Sequence, residues 1–502
     1  MSAPASDRAP AVPPADSRLR LPLLVIATAQ LMLVLDDSIA NIALPTLQNE
    51  LDIAPAVLPW VINAYILMFG ALLLFGGRVG DVVGRRRTLQ LGMVLFVAGS
   101  LVAGVAPNGG VLIAGRVLQG IGAALTAPNA LALIATTFPA GKARSGALAT
   151  YGAMSALGIV LGLLLGGVLT GTLGWRWVFF INVPIGLAVL AGTRVLVDAE
   201  RHQGRIGIGS AVTGSAGMAA LVYAITHGGE SGWGDVVTVA SFAAAAVLLT
   251  AFVVVQARSA DPMLPLPLLR DRSRSGAYLG TLLLAIGPMG AFYLLTLHMQ
   301  HVLQYSPLQT GLAWLPFAAG IVIASGLTAK LMARLAARVP TVVGLLIAGG
   351  ALLWLSTMGV ETSYLGHLMP AMFALAFGFG MSLLAMTATA VDGVRAEESG
   401  VASATLNSAQ QLGVALGLAV LSTVAITTTN ATQPDALTSL HEGRVAGEAD
   451  LVAAASEALV QGYATALLVG GLLLVAAAAL TALLISTGPA RDRELQPATD
   501  RG

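Results

Sequence analysis

Long, nearly uncharged apolar runs decide what this chain can fold into. The stretch from Leu21 to Pro45 is the first, and similar runs recur as far as residue 486. A helix crossing a bilayer needs about 20 mostly apolar residues. Fourteen candidates fall at roughly 21–45, 57–77, 88–106, 110–135, 146–171, 177–197, 206–227, 235–256, 276–301, 311–333, 340–358, 365–390, 401–425 and 460–486. A closed barrel is the other way to satisfy the backbone in lipid. Its strands alternate in polarity over about ten residues, whereas these runs are uniformly apolar and about twice as long. The expected fold class is therefore all-α and integral to a membrane. Composition agrees: 56% of the 502 residues are hydrophobic and 10% are charged, against about 25% charged in soluble domains.

Charge placement gives the orientation. Lys and Arg mark cytoplasmic loops. Alternate loops hold Arg85, Arg86 and Arg87, then Lys142 and Arg144, Arg201 and Arg205, Arg258 to Arg274, Arg334 and Arg338, and Arg395. The opposite side holds Arg176 and Arg444 among Glu50, Asp52, Glu230, Asp235, Glu361 and an acidic segment at 435–457. An even number of spans then puts both termini in the cytoplasm. Residues 1–20 read as a disordered N-terminal segment without the apolar core of a signal peptide, and 487–502 as a cytoplasmic tail. Between them the chain divides as six spans (21–197), a linking pair (198–275) and six spans (276–486), with a long external loop at 426–459. The basic loops 77–89 and 329–341 recur at matching places in the two sets of six, and paired six-helix halves are a recurrent transporter plan.

Several chemistries are absent from the sequence. No GxxxxGK[ST] occurs, since Gly141-Lys142 is followed by Ala143, so no ATP site is expected. The glycines of 204–214 open a membrane helix and follow no soluble strand. No HExxH, GxSxG or His/Asp cluster points to an enzyme, a metal or a cofactor. A net charge of +1 gives no reason to expect nucleic acid, and cysteine is absent.

Ionisable groups inside spans are costly and mark function. Asp36 and Asp37 in span 1 and Arg116 in span 4 are the clearest. Asp36 lies about 13 Å and Arg116 about 9 Å from the outer ends of their helices at 1.5 Å per residue, so they can pair if the helices adjoin. A static structural pair is the plainer reading; a proton-exchanging group is the functional one. Gln30, Asp37 and Asn41 share one helical stripe and Asp36 sits about 100° away, which favours Asp37 as the group facing a cavity. Asn63, Tyr65, Gln119, Asn129, His298, Gln300 and Gln411 are further cavity candidates, each with an interhelical hydrogen bond as its plainer role. In span 5, Gly158, Gly162 and Gly166 align on one face beside Gly167, which suits close helix packing or a sealed leak path.

These motifs resemble the major facilitator superfamily, in particular its fourteen-helix drug:proton antiporter branch. LDDSIANIALP (35–45), GRVGDVVGRRR (77–87), RVLQGIGAA (116–124), WRWVFFINVPIG (175–186), YSPLQTGLAWLP (305–316) and SGVASATLNSAQQLGVALGLA (399–419) are similar to that branch and stand in its order. The resemblance implies a 6+2+6 arrangement alternating between inward and outward states. It implies that Asp36 is the family aspartate, so Asp36 ranks first and Asp37 stays a rival, with Arg116 acting in proton coupling. It implies a cytoplasmic gating loop of Gly77, Gly80, Asp81, Gly84, Arg85 and Arg86. The span 5 motif departs from the family pattern, with Leu163 where Pro is usual, which weakens strict antiport. No acidic residue falls inside spans 9, 10, 11, 13 or 14, and Asp392 sits at the end of span 12, so neutral, zwitterionic or monocationic substrates are favoured. The expectation is a monomeric, proton-coupled exporter of lipophilic small molecules in the bacterial cytoplasmic membrane. The alternatives are a dedicated transporter of one metabolite, peptide or lipid, and a nontransporting membrane protein.

Overall fold

The computed structural model describes residues 15–139, 142–196, 207–259, 269–332, 334–392 and 399–485, with Pro262 and Val394. The loop arginines Arg201, Arg205 and Arg395, and the tail 487–502, lie outside the described residues. The described chain is helical: α1 (Ala15–Leu51), α2 (Trp60–Val83), α3 (Arg85–Gly104), α4 (Gly109–Thr137), α5 (Lys142–Thr172), α6 (Arg176–Phe180), α7 (Asn182–Gly192), α8 (Ile208–Ser231) and α9 (Val236–Arg258). There follow α10 (Arg272–Leu297), α11 (Pro307–Ala313), α12 (Leu315–Met332), α13 (Arg338–Leu355), α14 (Met369–Val391), α15 (Ser399–Thr432), α16 (Ala436–Ala446) and α17 (Ala449–Leu484). Fourteen segments are long and apolar enough to span a membrane, α6 with α7 and α11 with α12 each forming one. Successive spans reverse direction, so the loops fall on a basic face, at Arg85 and Arg338, and an acidic face, at Asp52, Asp235 and Asp435.

Two expectations change at the edges. Residues 15–20, expected to be disordered, belong to α1. The expected long loop 426–459 is largely helical, because α15 runs on to Thr432, α17 begins at Ala449, and α16 fills most of the gap.

Hydrophobic burial does not drive helices together in lipid, so close approach and polar contacts must. Glycines provide the approach. Where α3 crosses α4, a Cβ on Gly99 would lie 2.8 Å from the Gly115 carbonyl, and one on Gly115 would lie 2.9 Å from that of Gly99. Gly344 and Gly378 face each other in the same way where α13 crosses α14. Spans 1–6 pack mainly among themselves, as do spans 9–14, while α8 and α9 pair and α8 leans on α2 and α15. Asp235 caps α9. The Val237 N–H first, then that of Thr238 and the His227 ring, hold its carboxyl below the ordinary carboxylate value, so the cap is ionised at neutral pH.

The first six and last six spans meet towards the acidic face. A Cβ on Gly167 would lie 2.7 Å from Leu308 Cα and 2.8 Å from the Pro307 carbonyl. Gly311 sits equally tightly under the Leu163 carbonyl. The Gln300 amide donates to the Ile42 carbonyl at 3.0 Å. Towards the basic face, by contrast, Gly146 and Gly152 of α5 have nothing within 4 Å of an added Cβ. Gly167→Ala should therefore loosen the seam, whereas Gly171→Ala, which faces open space, should not. The chain has no cysteine, so a Leu58→Cys reporter, 1% exposed beside the seam, reads this directly. Its labelling by an impermeant maleimide should rise several-fold with Gly167→Ala and stay unchanged with Gly171→Ala.

Candidate functional site: a buried carboxylate–guanidinium cluster

Five helices converge on one buried ion pair. Asp36 of α1 and Arg116 of α4 have no solvent exposure, and Arg116 Nη1 donates to Asp36 Oδ2 at 2.5 Å. Arg116 Nε donates to the Val61 carbonyl of α2 at 2.9 Å, and Nη1 also reaches Gln119 Oε1 at 3.0 Å. The guanidinium lies over the Tyr65 ring, 4.4 Å from its centre, where the negative face of the ring favours a cation. The other Asp36 oxygen, Oδ1, accepts from Gln119 Nε2 at 2.8 Å and from Asn182 Nδ2 at 2.7 Å. Ser100 of α3 accepts a second bond from Gln119 Nε2 at 2.8 Å.

Local sequence explains how Asn182 arrives. Pro184 has no N–H, and its ring opposes the carbonyl of residue 180, four positions back, which weakens the helix there. Span 6 accordingly stops at Phe180 and restarts at Asn182. The restart points the Asn182 amide at Asp36. Nothing in single-helix periodicity marked Asn182 or Ser100; the Asn-x-Pro inside a span was the available signal.

Asp37 is held differently. It is half-buried, its Oδ1 has no hydrogen-bond partner among the described residues, and it interacts electrostatically with both Asp36 and Arg116. Its backbone carbonyl accepts from the Asn41 amide at 3.2 Å. The site thus sets two carboxylates against one guanidinium. With both carboxylates ionised it carries a net negative charge, and one proton neutralises it.

The other polar candidates are dispersed. Gln30 accepts from Tyr151 at 2.6 Å and donates to Ser155 at 2.9 Å, tying α1 to α5. Asn129 is buried between α2 and α4, donating to the Gly76 and Leu125 carbonyls at 2.9 and 2.7 Å. Asn63 is buried with neither amide atom bonded among the described residues. His298 is buried edge-on to Tyr463, their centres 6.4 Å apart, and Gln411 packs against Gly70 across the α2–α15 contact. Tyr65 and Gln119 belong to the ion-pair cluster. In the basic loop, Arg85 bonds Asp81 at 3.2 Å and the Ala132 carbonyl at 3.2 Å, and Arg86 bonds the Leu196 carbonyl at 3.2 Å. Gly84 adopts φ 117°, and a side chain at Gly80 would collide with Asn129, whereas Gly77 has ordinary clearance from Pro128.

Residues 26–418 match the sequence profile of the Major Facilitator Superfamily. The chain belongs to this family of transporters. It is 40% identical over 462 residues to the puromycin resistance protein pur8 of Streptomyces alboniger, covering 90% of this chain and 89% of that one. It is 36% identical over 408 residues to the cephamycin export protein CmcT of Amycolatopsis lactamdurans, covering 80% and 84%. Among solved structures, a bacterial homolog of the human lysosomal transporter Spinster superposes with a TM-score of 0.68 at 17% identity, covering 93% of this chain and 97% of that one. At that identity the likeness concerns the fold.

Within this family fold, three of the span 5 glycines line the α1 contact. Gly158 lies against Leu31 and Val34, Gly162 against Leu35 and Ser38, and Gly166 against Ile39 and Ile42. Gly167 alone of the four turns to the other set of spans. Asp36 and Asp37 should separate cleanly in stability. Asp36→Asn leaves a buried guanidinium uncompensated, a loss of about 3–5 kcal/mol. Asp37→Asn removes a carboxylate with an unbonded oxygen and should change stability by about 1 kcal/mol or less. Thermal unfolding of the purified variants, followed by tryptophan fluorescence, measures the difference.

Proposed function

We propose that the protein exports lipophilic small molecules, antibiotics among them, from the cytoplasm in exchange for protons. The observation that carries this reading is the charge balance of the buried cluster. Two carboxylates near one guanidinium take up one proton as they approach neutrality, which is the chemistry a coupled carrier needs inside a membrane. Two relatives, a puromycin resistance protein and a cephamycin export protein, support export as the direction and antibiotics as substrates.

In this proposal Asp36 is the fixed anion and Asp37 carries the proton. Three side-chain donors already occupy Asp36, while an Asp37 oxygen is free to receive one. This ordering reverses the one that the motif position alone implies. The arrangement is 6+2+6, supported by the glycine-paired crossing that recurs between spans 3 and 4 and between spans 11 and 12. The basic face is cytoplasmic, on the Lys and Arg asymmetry, and both termini lie there. Asp81 with Arg85 forms a latch that ties the α2–α3 loop to α4; as a partly exposed pair it contributes about 0–1 kcal/mol, enough to bias a conformation without locking it.

Everted membrane vesicles with an acid interior test the coupling. Lipophilic cationic and neutral antibiotics and dyes should release protons with wild type. Asp37→Asn should abolish substrate-dependent release while the protein remains folded. Loss in Asp36→Asn, with Asp37→Asn active and correctly folded, would move the proton to Asp36. No release with any compound in wild type would refute proton-coupled multidrug export and favour a dedicated transporter of one substrate.

A further inference from the structure

A partly open chamber lies on the seam at the acidic face, away from the ion pair. Its volume is about 260 Å³. Gln48 and the segment 54–58 form one wall, from the first set of spans; His301, Thr429 and Tyr463 form the other, from the last set. The first turn of α16 roofs part of it. Because its walls come from both sets of spans, the chamber exists only while they meet on this face.

The polar groups aimed into it are unsatisfied. Gln48 is 5% exposed and His301 is 8% exposed. Among the described residues, neither Gln48 Oε1 nor either His301 ring nitrogen has a hydrogen-bond partner. A buried polar atom left unbonded is destabilising and calls for an absent partner. His301 lies in a π-helical turn, His298–Val302, a local distortion often found at functional sites. The roof is tied down at the same point, since Arg444 of α16 donates to the His301 carbonyl at 2.7 Å.

The chemistry of the lining selects a class of ligand. Gln48 Oε1 is an acceptor, and a neutral imidazole always keeps one acceptor nitrogen. Asp435 adds a carboxylate that does not cap its own helix, although it stands at the N-terminus of α16 with φ 54°. Leu294, Leu297, Ile426 and Leu459 make the remainder apolar. The Arg444 charge beside His301 offsets that of Asp435, so it is the acceptors in an apolar box that fit the N–H donors of an amine on an apolar body. The volume falls just below the roughly 300–1,000 Å³ of drug-sized sites, so the chamber holds the head of such a molecule and not all of it.

We propose that this chamber is an exit subsite that receives the amino group of a lipophilic amine on its way out. The inference rests on the export reading and adds a substrate class and a second station to it. Gln48, His301 and Asp435 take over the amine, and opening of the seam separates its two walls and releases it.

Dansylcadaverine and its N-acetyl derivative are a suitable probe pair, since they share the apolar body and differ in the amine. Fluorescence titration of the full chain in nanodiscs measures both. Gln48→Leu and His301→Phe should each weaken the amine about three- to tenfold and leave the acetylated probe unchanged. Gln48→Glu should tighten the amine alone. If Gln48→Leu and His301→Phe do not fold, the sign of the Gln48→Glu effect decides. No binding of the amine to wild type, or no variant that separates the two probes, would overturn the chamber. Proton-driven transport of dansylcadaverine in everted vesicles is scored separately. Transport that persists without any chamber effect removes this inference alone, whereas chamber binding without proton-coupled transport removes the export reading.

Discussion

A guanidinium with no solvent exposure, held within a membrane span, needs a counter-charge and hydrogen bonds on most sides. Arg116 finds them on α1, α2 and its own α4, and the first six spans are arranged to provide them. Asp36 supplies the charge, Val61 a backbone carbonyl, Gln119 an amide and Tyr65 a ring face. Asp36 in turn needs Gln119 and Asn182. Each of these contacts fixes the depth and rotation of a helix that is apolar nearly all round and would otherwise slide or turn freely. Glycine crossings set how closely the helices approach; the ion pair sets their register.

The same pair makes Asp37 informative. Residues 36 and 37 differ by about 100° around α1, so burying one against Arg116 turns the other away from it. A fixed anion and a second carboxylate with a free oxygen then stand side by side near a single cation. The first six spans concentrate the membrane-embedded charge, whereas no acidic residue falls inside spans 9 to 13. The last set offers histidines, tyrosines and apolar walls instead. Under the proposed mechanism, ion chemistry belongs to one set of spans and much of the substrate surface to the other, so their relative movement is what couples them.

The number and placement of the spans were legible because length and apolarity alone decide them. Asp36 and Arg116 could be paired on depth, since both positions can be counted from a helix end. Facing was harder. A span apolar all round has little hydrophobic asymmetry, so periodicity gave no basis for sending Asn129 into the α2–α4 contact or Gln30 to Tyr151. The stripe through Gln30, Asp37 and Asn41 did separate Asp37 from Asp36, and the two differ in burial accordingly. Asn182 escaped notice because its position depends on a break made by Pro184, a tertiary consequence of a local rule. The α16 roof was hidden in a polar segment that reads as loop, although most of it is helical.

Leu163 illustrates how a departure from a family motif can be structural. A proline there would lack an N–H and oppose the carbonyl of residue 159, four positions back, kinking α5. In this chain α5 runs unbroken from Lys142 to Thr172. It keeps Gly158, Gly162 and Gly166 along α1 while Gly167 and the Leu163 carbonyl meet α11. One unbroken helix therefore serves two contacts, one inside the first set of spans and one across the seam. The seam itself consists of short glycine approaches, the α2–α15 contact at Gly70 and Gln411, and the Gln300–Ile42 bond. Individually such hydrogen bonds contribute about 0.5–1.5 kcal/mol. A closure built from a few of them lies within the free-energy range that a proton or a substrate with state-dependent affinity can reverse.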